Sequence, residues 1–329
     1  MAVVAPMDAS YVPKVLYSLT DDGKTWQKYS TSNEARVLVI YTGGTIGMVK
    51  DKDGVLKPAP GVLDKRLREF PQLHDAEYAK EHFGDCEKPP LVLPDTGDLL
   101  RVVYTISEYN PLLDSSNATM DDWLQIAKDI KKYYDSYQGF IVLHGTDTMA
   151  YTSSALSFLL ENLGKSVVVT GSQVTLMFRN QLFRGNRVSK FSISHLDAFA
   201  SFNMAPLVTI GINVDITWPL ILPEPKDEEF RAHDKLDRDV GLLRLFPSIT
   251  AELELVQVGV VPGGDMTPEA ALTKLAYVLS KSEWTLDEKK KKLQENLRGE
   301  LTTGQGEAGW EDQYKTANLM APWKALFIR

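Results

Sequence analysis

Two short clusters of hydroxyl, carboxylate and glycine residues stand where a chain could do chemistry. In GFIVLHGTDT an apolar run ends in Gly145, Thr146 and Asp147, and in RVLVIYTGGT another ends in Thr42, Gly43, Gly44 and Thr45. Glycine lets the backbone come close to a ligand, and the neighbouring side chains supply hydroxyls and a carboxylate. Two such ends predict one shared pocket. A competing reading makes Thr146 or Asp147 no more than the cap of a helix that starts at Met149.

The elements that must position these groups follow from their flanks. Residues 36–41 and 140–143 have the composition of strands buried on both faces, and ligands bind at the carboxyl ends of such strands in open α/β sheets. The apolar spacing after Met149 predicts a helix over 149–163, stopped by Gly164 and Lys165. Asp114, Ser115, Ser116 and Asn117 form a third polar cluster just before Thr119 and Asp122, which together resemble a capping box; the cluster can be read as a site or as the start of that helix alone. A strand over 166–170 ends in Gly171, Ser172 and Gln173. Strand and helix alternate, so the predicted class is α/β: a mostly parallel sheet with flanking helices, followed by a second, smaller and truncated α/β domain.

Further elements are a helix over 62–70 and strands over 99–106, 175–178, 206–213, 240–245 and 253–261. A helix capped by Thr267 and another over 286–297 complete the set. Residues 47–60 read as a loop able to cover a pocket, or as an ordinary exposed one. Residues 184–190 read as a basic loop. The expected organisation is an extension over 1–33, a domain over 34–218 shortened near 174, a linker over 219–238, a truncated domain over 239–300 and a disordered tail over 301–329.

Composition narrows the classes. The chain has 329 residues, 43% hydrophobic and 24% charged, with a formal net charge of −8. That charge argues against a general nucleic-acid binder, and the basic run at 289–292 reads as a solvated helix face. Cys86 is the only cysteine and no Cys/His spacing resembles a metal site, so no metal and a reducing compartment are expected. With neither a signal peptide nor a membrane span expected, the predicted location is cytoplasmic.

The sequences YTGGTI at 41–46 and HGTDT at 144–148 resemble the two signatures of bacterial-type asparaginases, in particular the cytosolic branch that includes vertebrate asparaginase/lysophospholipase proteins. The ankyrin repeats of those vertebrate proteins are absent from this sequence. The resemblance implies cofactor-free hydrolysis of L-asparagine to L-aspartate and ammonia. Thr45 matches the threonine that takes the acyl group, and Thr146, Asp147 and Lys190 match its supporting triad. Backbone N–H groups near Gly44 and Thr146 are the implied oxyanion donors, Ser115 and Ser116 fall where the substrate is held, and Asp147 also faces the substrate's ammonium group. His144 has no acid/base role in the family's pattern and reads as structural. A homo-oligomer is implied as well.

The chain departs from that pattern in two places. A helix and its approach are absent between Gln173 and the strand that begins near Thr175, and several elements are absent between Val256 and Gly263. A parallel neighbour is reached only by returning about 15–20 Å along the sheet, whereas four residues span at most about 14 Å. The segment from Thr175 is therefore expected to turn back as a hairpin or leave the sheet, and Lys190 to be displaced from Thr146. Three other readings stay open: an impaired member that binds asparagine weakly or associates with an intact subunit, a lysophospholipase-type hydrolase, and a nucleotide-binding domain suggested by TGGT.

Overall fold

The computed structural model describes residues 3–4, 16–19, 26–29, 34–50, 52–84, 88–97, 100–170, 174–192, 198–222, 228–241, 261–302 and 326–327. It divides into two compact units, one of residues 1–117 and 132–145, the other of residues 118–131 and 146–329. The class is α/β, as the alternation of strands and helices predicts.

In the first unit β1 (Glu34–Gly43) is followed by β2 (Met48–Lys50), β3 (Leu56–Pro58), α1 (Val62–Glu69), α2 (Ala76–Phe83), β4 (Leu91–Val92), β5 (Arg101–Leu113) and β6 (Gly139–Leu143). β1 lies between β5 and β6 and runs parallel to both, with Val37 opposite Tyr104 on one side and Gly139 on the other. A strand with neighbours at both edges and packing on both faces needs a continuous apolar run, and Leu38, Ile40 and Tyr41 are fully buried. Leu63 of α1 packs with Val39, Tyr41, Leu91, Tyr104 and Ile106. β5 runs well past the predicted end at 106. Its extra length carries the chain to Leu113, opposite Gly43. Residues 47–60 are not a plain loop: β2 and β3 pair antiparallel, Met48 opposite Pro58.

The second unit contains most of α3 (Met120–Tyr133), then α4 (Met149–Leu159), β7 (Leu160–Glu161), β8 (Ser166–Val169), β9 (Val174–Phe178), β10 (Gln181–Arg184), β11 (Ser189–Lys190), β12 (Phe199–Ala200), β13 (Val208–Ile210), β14 (Val214–Ile216), β15 (Arg231–Ala232), α5 (Pro268–Leu279) and α6 (Leu286–Gln294). Thr119 starts α3 by donating its N–H and its hydroxyl to Asp122 Oδ2, at 2.7 and 2.8 Å. α4 stops at Leu159, short of the expected 163, because Leu160 and Glu161 pair with β15 and Asn162 takes a left-handed φ of 55°. Asparagine is among the few residues that tolerate that conformation. α4 is buried almost all round, as its apolar and small side chains require, and Ser154 and Thr273 of α5 join their hydroxyls at 2.8 Å. Among the described residues, no helix is long and apolar enough to cross a membrane.

The expected hairpin return after β8 is not what forms. β9 pairs with β8 in parallel, Val167 opposite Val174 and Val169 opposite Leu176. The two strands overlap over three residue pairs, so the return from Val169 to Val174 covers two residues of rise, about 7 Å, and not the length of a whole strand. A hairpin then links β9 to β10, and β13 and β14 extend the antiparallel edge. The predicted polar end at 171–173, most of the predicted strands at 240–245 and 253–261, and most of residues 1–33 and 301–329 lie outside the described residues.

Near the end of α4, Glu161 takes a hydrogen bond from His233 at 2.9 Å and an ion pair from Arg298 at 2.7 Å. Lys281 donates to the other ring nitrogen of His233 at 2.8 Å. The His233 hydrogen bond, helped by Arg298 and opposed by burial, lowers the Glu161 carboxyl from 4.5 to about 2. A depressed carboxyl contributes stability that is complete above the unfolded value and is lost as pH falls toward the folded one. Denaturation midpoints of the native chain and Glu161→Gln are therefore expected to differ most above pH 4.5 and to converge as pH approaches 2.

Candidate functional site

In the first unit three turns meet backbone to backbone at the carboxyl ends of β1, β5 and β6. Gly43 has φ of 145° and Gly44 of 101°, regions that side chains disfavour. Space demands glycine as well: a Cβ on Gly43 would lie 2.0 Å from the Leu113 carbonyl oxygen, and one on Gly44 would lie 3.0 Å from Gly145 Cα. A Cβ on Gly145 would meet Ser115 Oγ at 2.3 Å. Thr42 ties β1 to β6 by donating its hydroxyl to the Leu143 carbonyl at 3.0 Å.

Thr45 opens a 3-10 turn, Thr45–Gly47, directly after this glycine pair; its side chain lies outside the described part of the structure. Beneath the turn, Tyr41 is fully buried, and burial followed by the nearby Glu108 carboxylate raises its phenol above the ordinary value, keeping it protonated. Ser115 is buried in a second 3-10 turn, Ser115–Asn117. Asp114 shapes that turn by accepting the Ser116 N–H at 3.0 Å, and Ser116 itself is exposed. His144 donates from Nδ1 to the Gly145 carbonyl at 2.7 Å, a contact that orients the backbone.

In the second unit Thr146 and Asp147 are exposed and precede Thr148, the N-cap of α4, which makes no side-chain cap bond. The cap position of the helix thus falls to Thr148 and not to either of them. Lys190, on β11, places Nζ 3.1 Å from Thr146 Oγ1 and 2.7 Å from Asp147 Oδ1. The expected displacement of Lys190 is thus corrected. β11 is held against β12, Lys190 opposite Phe199, and the short return between β8 and β9 does not carry the lysine away. Its side chain is 15% exposed, so it is no freely solvated surface lysine.

The ammonium form of Lys190 donates to both oxygens. In the neutral amine one N–H would still hold Asp147 while the lone pair faced the Thr146 hydroxyl, so one geometry serves both directions of a proton transfer. The structure brings together Thr146, Asp147 and Lys190 in one unit, and Gly44, Gly145 and Ser115 in the other. The RGNR sequence before Lys190, read as a basic loop, has Arg184, Asn186 and Arg187 buried. No local signal in the sequence separates those residues from a solvated basic run.

The α/β fold and a hydroxyl held by an amine and a carboxylate are shared by many proteins, and comparison with known ones narrows the class. The family described as "Asparaginase, N-terminal" matches residues 36–177 and 173–222, two stretches that overlap at 173–177. The chain is 38% identical to an L-asparaginase of Dirofilaria immitis over 365 residues, covering 83% of this chain and 62% of that protein. It is 37% identical to a 60 kDa lysophospholipase of Mus musculus, covering 82% and 63%. The solved structure of L-asparaginase I from Vibrio cholerae matches with a TM-score of 0.65 and 31% identity, covering 82% of this chain and all of that one. The chain belongs to the asparaginase family. It spans only 62–63% of the length of the Dirofilaria and mouse relatives. The Dirofilaria alignment of 365 residues is longer than this whole chain of 329, so the relative carries stretches for which this chain has no counterpart.

Gly145→Ala is expected to lower thermal stability by about 1–3 kcal/mol through overpacking against Ser115. Ser115→Gly in the same chain removes both clashing atoms, and a thermal scan should show part of the loss recovered.

Proposed function

We propose that this chain hydrolyses L-asparagine to L-aspartate and ammonia by acyl transfer to a threonine. The observation that carries this reading is the contact of Lys190 with both Thr146 and Asp147. Family membership supports it, since relatives at this level of identity are named L-asparaginases. A primary amide is a poor electrophile, so the reaction needs an activated hydroxyl and donors for the tetrahedral oxyanion. In this reading the Thr45 hydroxyl attacks the amide carbonyl, and the proton passes to neutral Lys190 through Thr146. Asp147 orients the amine and holds the substrate's ammonium group, while N–H groups near Gly44 and Thr146 receive the oxyanion. Ser115 and Ser116 hold the substrate carboxylate. Ammonia leaves, and water cleaves the acyl-threonine ester. No cofactor is needed. The reading includes a cytoplasmic location and a homo-oligomer weakened by the absent stretches.

A second reading is a lysophospholipase, favoured by the name of the mouse relative. It uses the same acyl transfer on an ester in place of an amide. A third is a silent member, favoured by the stretches of the relatives that have no counterpart here.

The test is ammonia release from asparagine and fatty-acid release from lysophosphatidylcholine by the purified chain. Thr45→Ala and Thr146→Ala should abolish ammonia release with far-UV circular dichroism unchanged. Lys190→Met should lower kcat about 10²–10⁴-fold, the usual contribution of a positioned base. Fatty acid without ammonia would select the second reading, and neither product the third.

A further inference from the structure

Lys190 stands on a strand two residues long, which pairs with β12 through two residue positions. So short a strand cannot fix a flexible side chain by itself. The preceding 3-10 turn, Gly185–Arg187, is buried at all three residues. Arg187 is 1% exposed. Its Nε donates to the Gly299 carbonyl at 2.6 Å, and its Nη1 donates to Asp265 Oδ2 at 2.8 Å and Thr302 Oγ1 at 3.2 Å. Arg184 Nη1 donates to the same Gly299 carbonyl at 3.0 Å, and Asn186 Nδ2 to the Arg298 carbonyl at 3.0 Å.

Residues 295–302 thus form a strap across the turn. Glycine suits position 299 because its φ is 81°, and a Cβ there would push the Arg184 guanidinium, 2.1 Å away, off the Gly299 carbonyl. The strap is anchored from behind by Glu300, which accepts the N–H groups of Leu297 and Arg298 and pairs with Lys274 of α5 at 2.7 Å, both side chains fully buried. On the far side of the turn Ser189, the neighbour of Lys190, donates to Glu269 Oε2 at 2.7 Å.

We propose that Arg187 is a positioning residue for Lys190, its guanidinium gripping the strap and so fixing the strand from which the amine reaches Thr146 and Asp147. The proposal deepens the asparaginase reading and rests on it for the role of Lys190. A planar guanidinium presents Nε and Nη1 in a fixed fork, here toward the Gly299 carbonyl and Asp265, whereas a lysine offers a single charged atom on a flexible stem. Displacement of a reacting group by 1 Å through a remote change costs up to about 100-fold in rate.

The experiment uses the full chain and the variants Arg187→Met, Arg187→Lys and Asp265→Asn. Each is measured for kcat and KM on asparagine, and for the ¹⁵N signal of the Lys190 side chain, assigned with Lys190→Met. In Arg187→Met the expected result is a kcat lowered about 100-fold with KM little changed, and a Lys190 signal moved to the position of a free surface lysine. Arg187→Lys and Asp265→Asn should fall between this variant and the native chain in both readouts. An unmoved Lys190 signal in Arg187→Met overturns the proposal. If that variant does not fold, an unmoved signal in both of the others overturns it. Should the native chain release no ammonia while the signal still moves, the hydrolase reading fails and the positioning role stands.

Discussion

A guanidinium that is 1% exposed has lost its water, and the second unit is arranged around replacing it. Removing an ion from water costs several kcal/mol even after relaxation, and only a carboxylate with good geometry and further hydrogen bonds offsets that cost. Arg187 has Asp265 and the Gly299 carbonyl, and Lys274 has Glu300. Burial lowers the Lys274 amine below its ordinary range, while Glu300 opposes the shift. Both pairs tie residues 295–302 to the rest of their unit. Taking away one member of such a pair typically costs 3–5 kcal/mol, because its partner stays buried and charged.

The close approach of three turns is the corresponding constraint in the first unit. Gly43, Gly44 and Gly145 lie where a side chain would collide with a carbonyl, a backbone or the Ser115 hydroxyl. Space therefore requires glycine at all three positions, and backbone conformation requires it at Gly43 and Gly44 as well. In the second unit, Lys190 is held to Thr146 and Asp147 by two hydrogen bonds.

The pairing of β8 with β9 shows how parallel neighbours so near in sequence can be seated side by side. A parallel neighbour needs a long crossover only when the strands overlap along their whole length. Here three pairs suffice, and the remaining strands turn antiparallel. The edge that results is apolar: Ile212, Val214 and Trp218 are exposed at or beside β14. Exposed apolar side chains on an edge hairpin favour association with other chains.

Element types were legible in the sequence wherever one segment sees one environment. The apolar run of β1 declared a strand packed on both faces, the spacing in α4 declared a helix, and the glycines beside Thr45 and Thr146 marked the strand ends. Thr45, Thr146 and Asp147 stood out as hydroxyls and a carboxylate at strand ends, whereas Lys190 was singled out only through resemblance to a family. What tertiary structure alone decided are the partnerships between distant segments: the parallel seat of β9, the pairing that ends α4 at Leu159, and the burial of Arg187. Arg187 and Gly299 are 112 residues apart, and nothing in RGNR distinguishes a buried guanidinium from a solvated one. Periodicity records which face of a segment meets the core. The choice of partner depends on shape and charge brought together only when the chain has closed on itself.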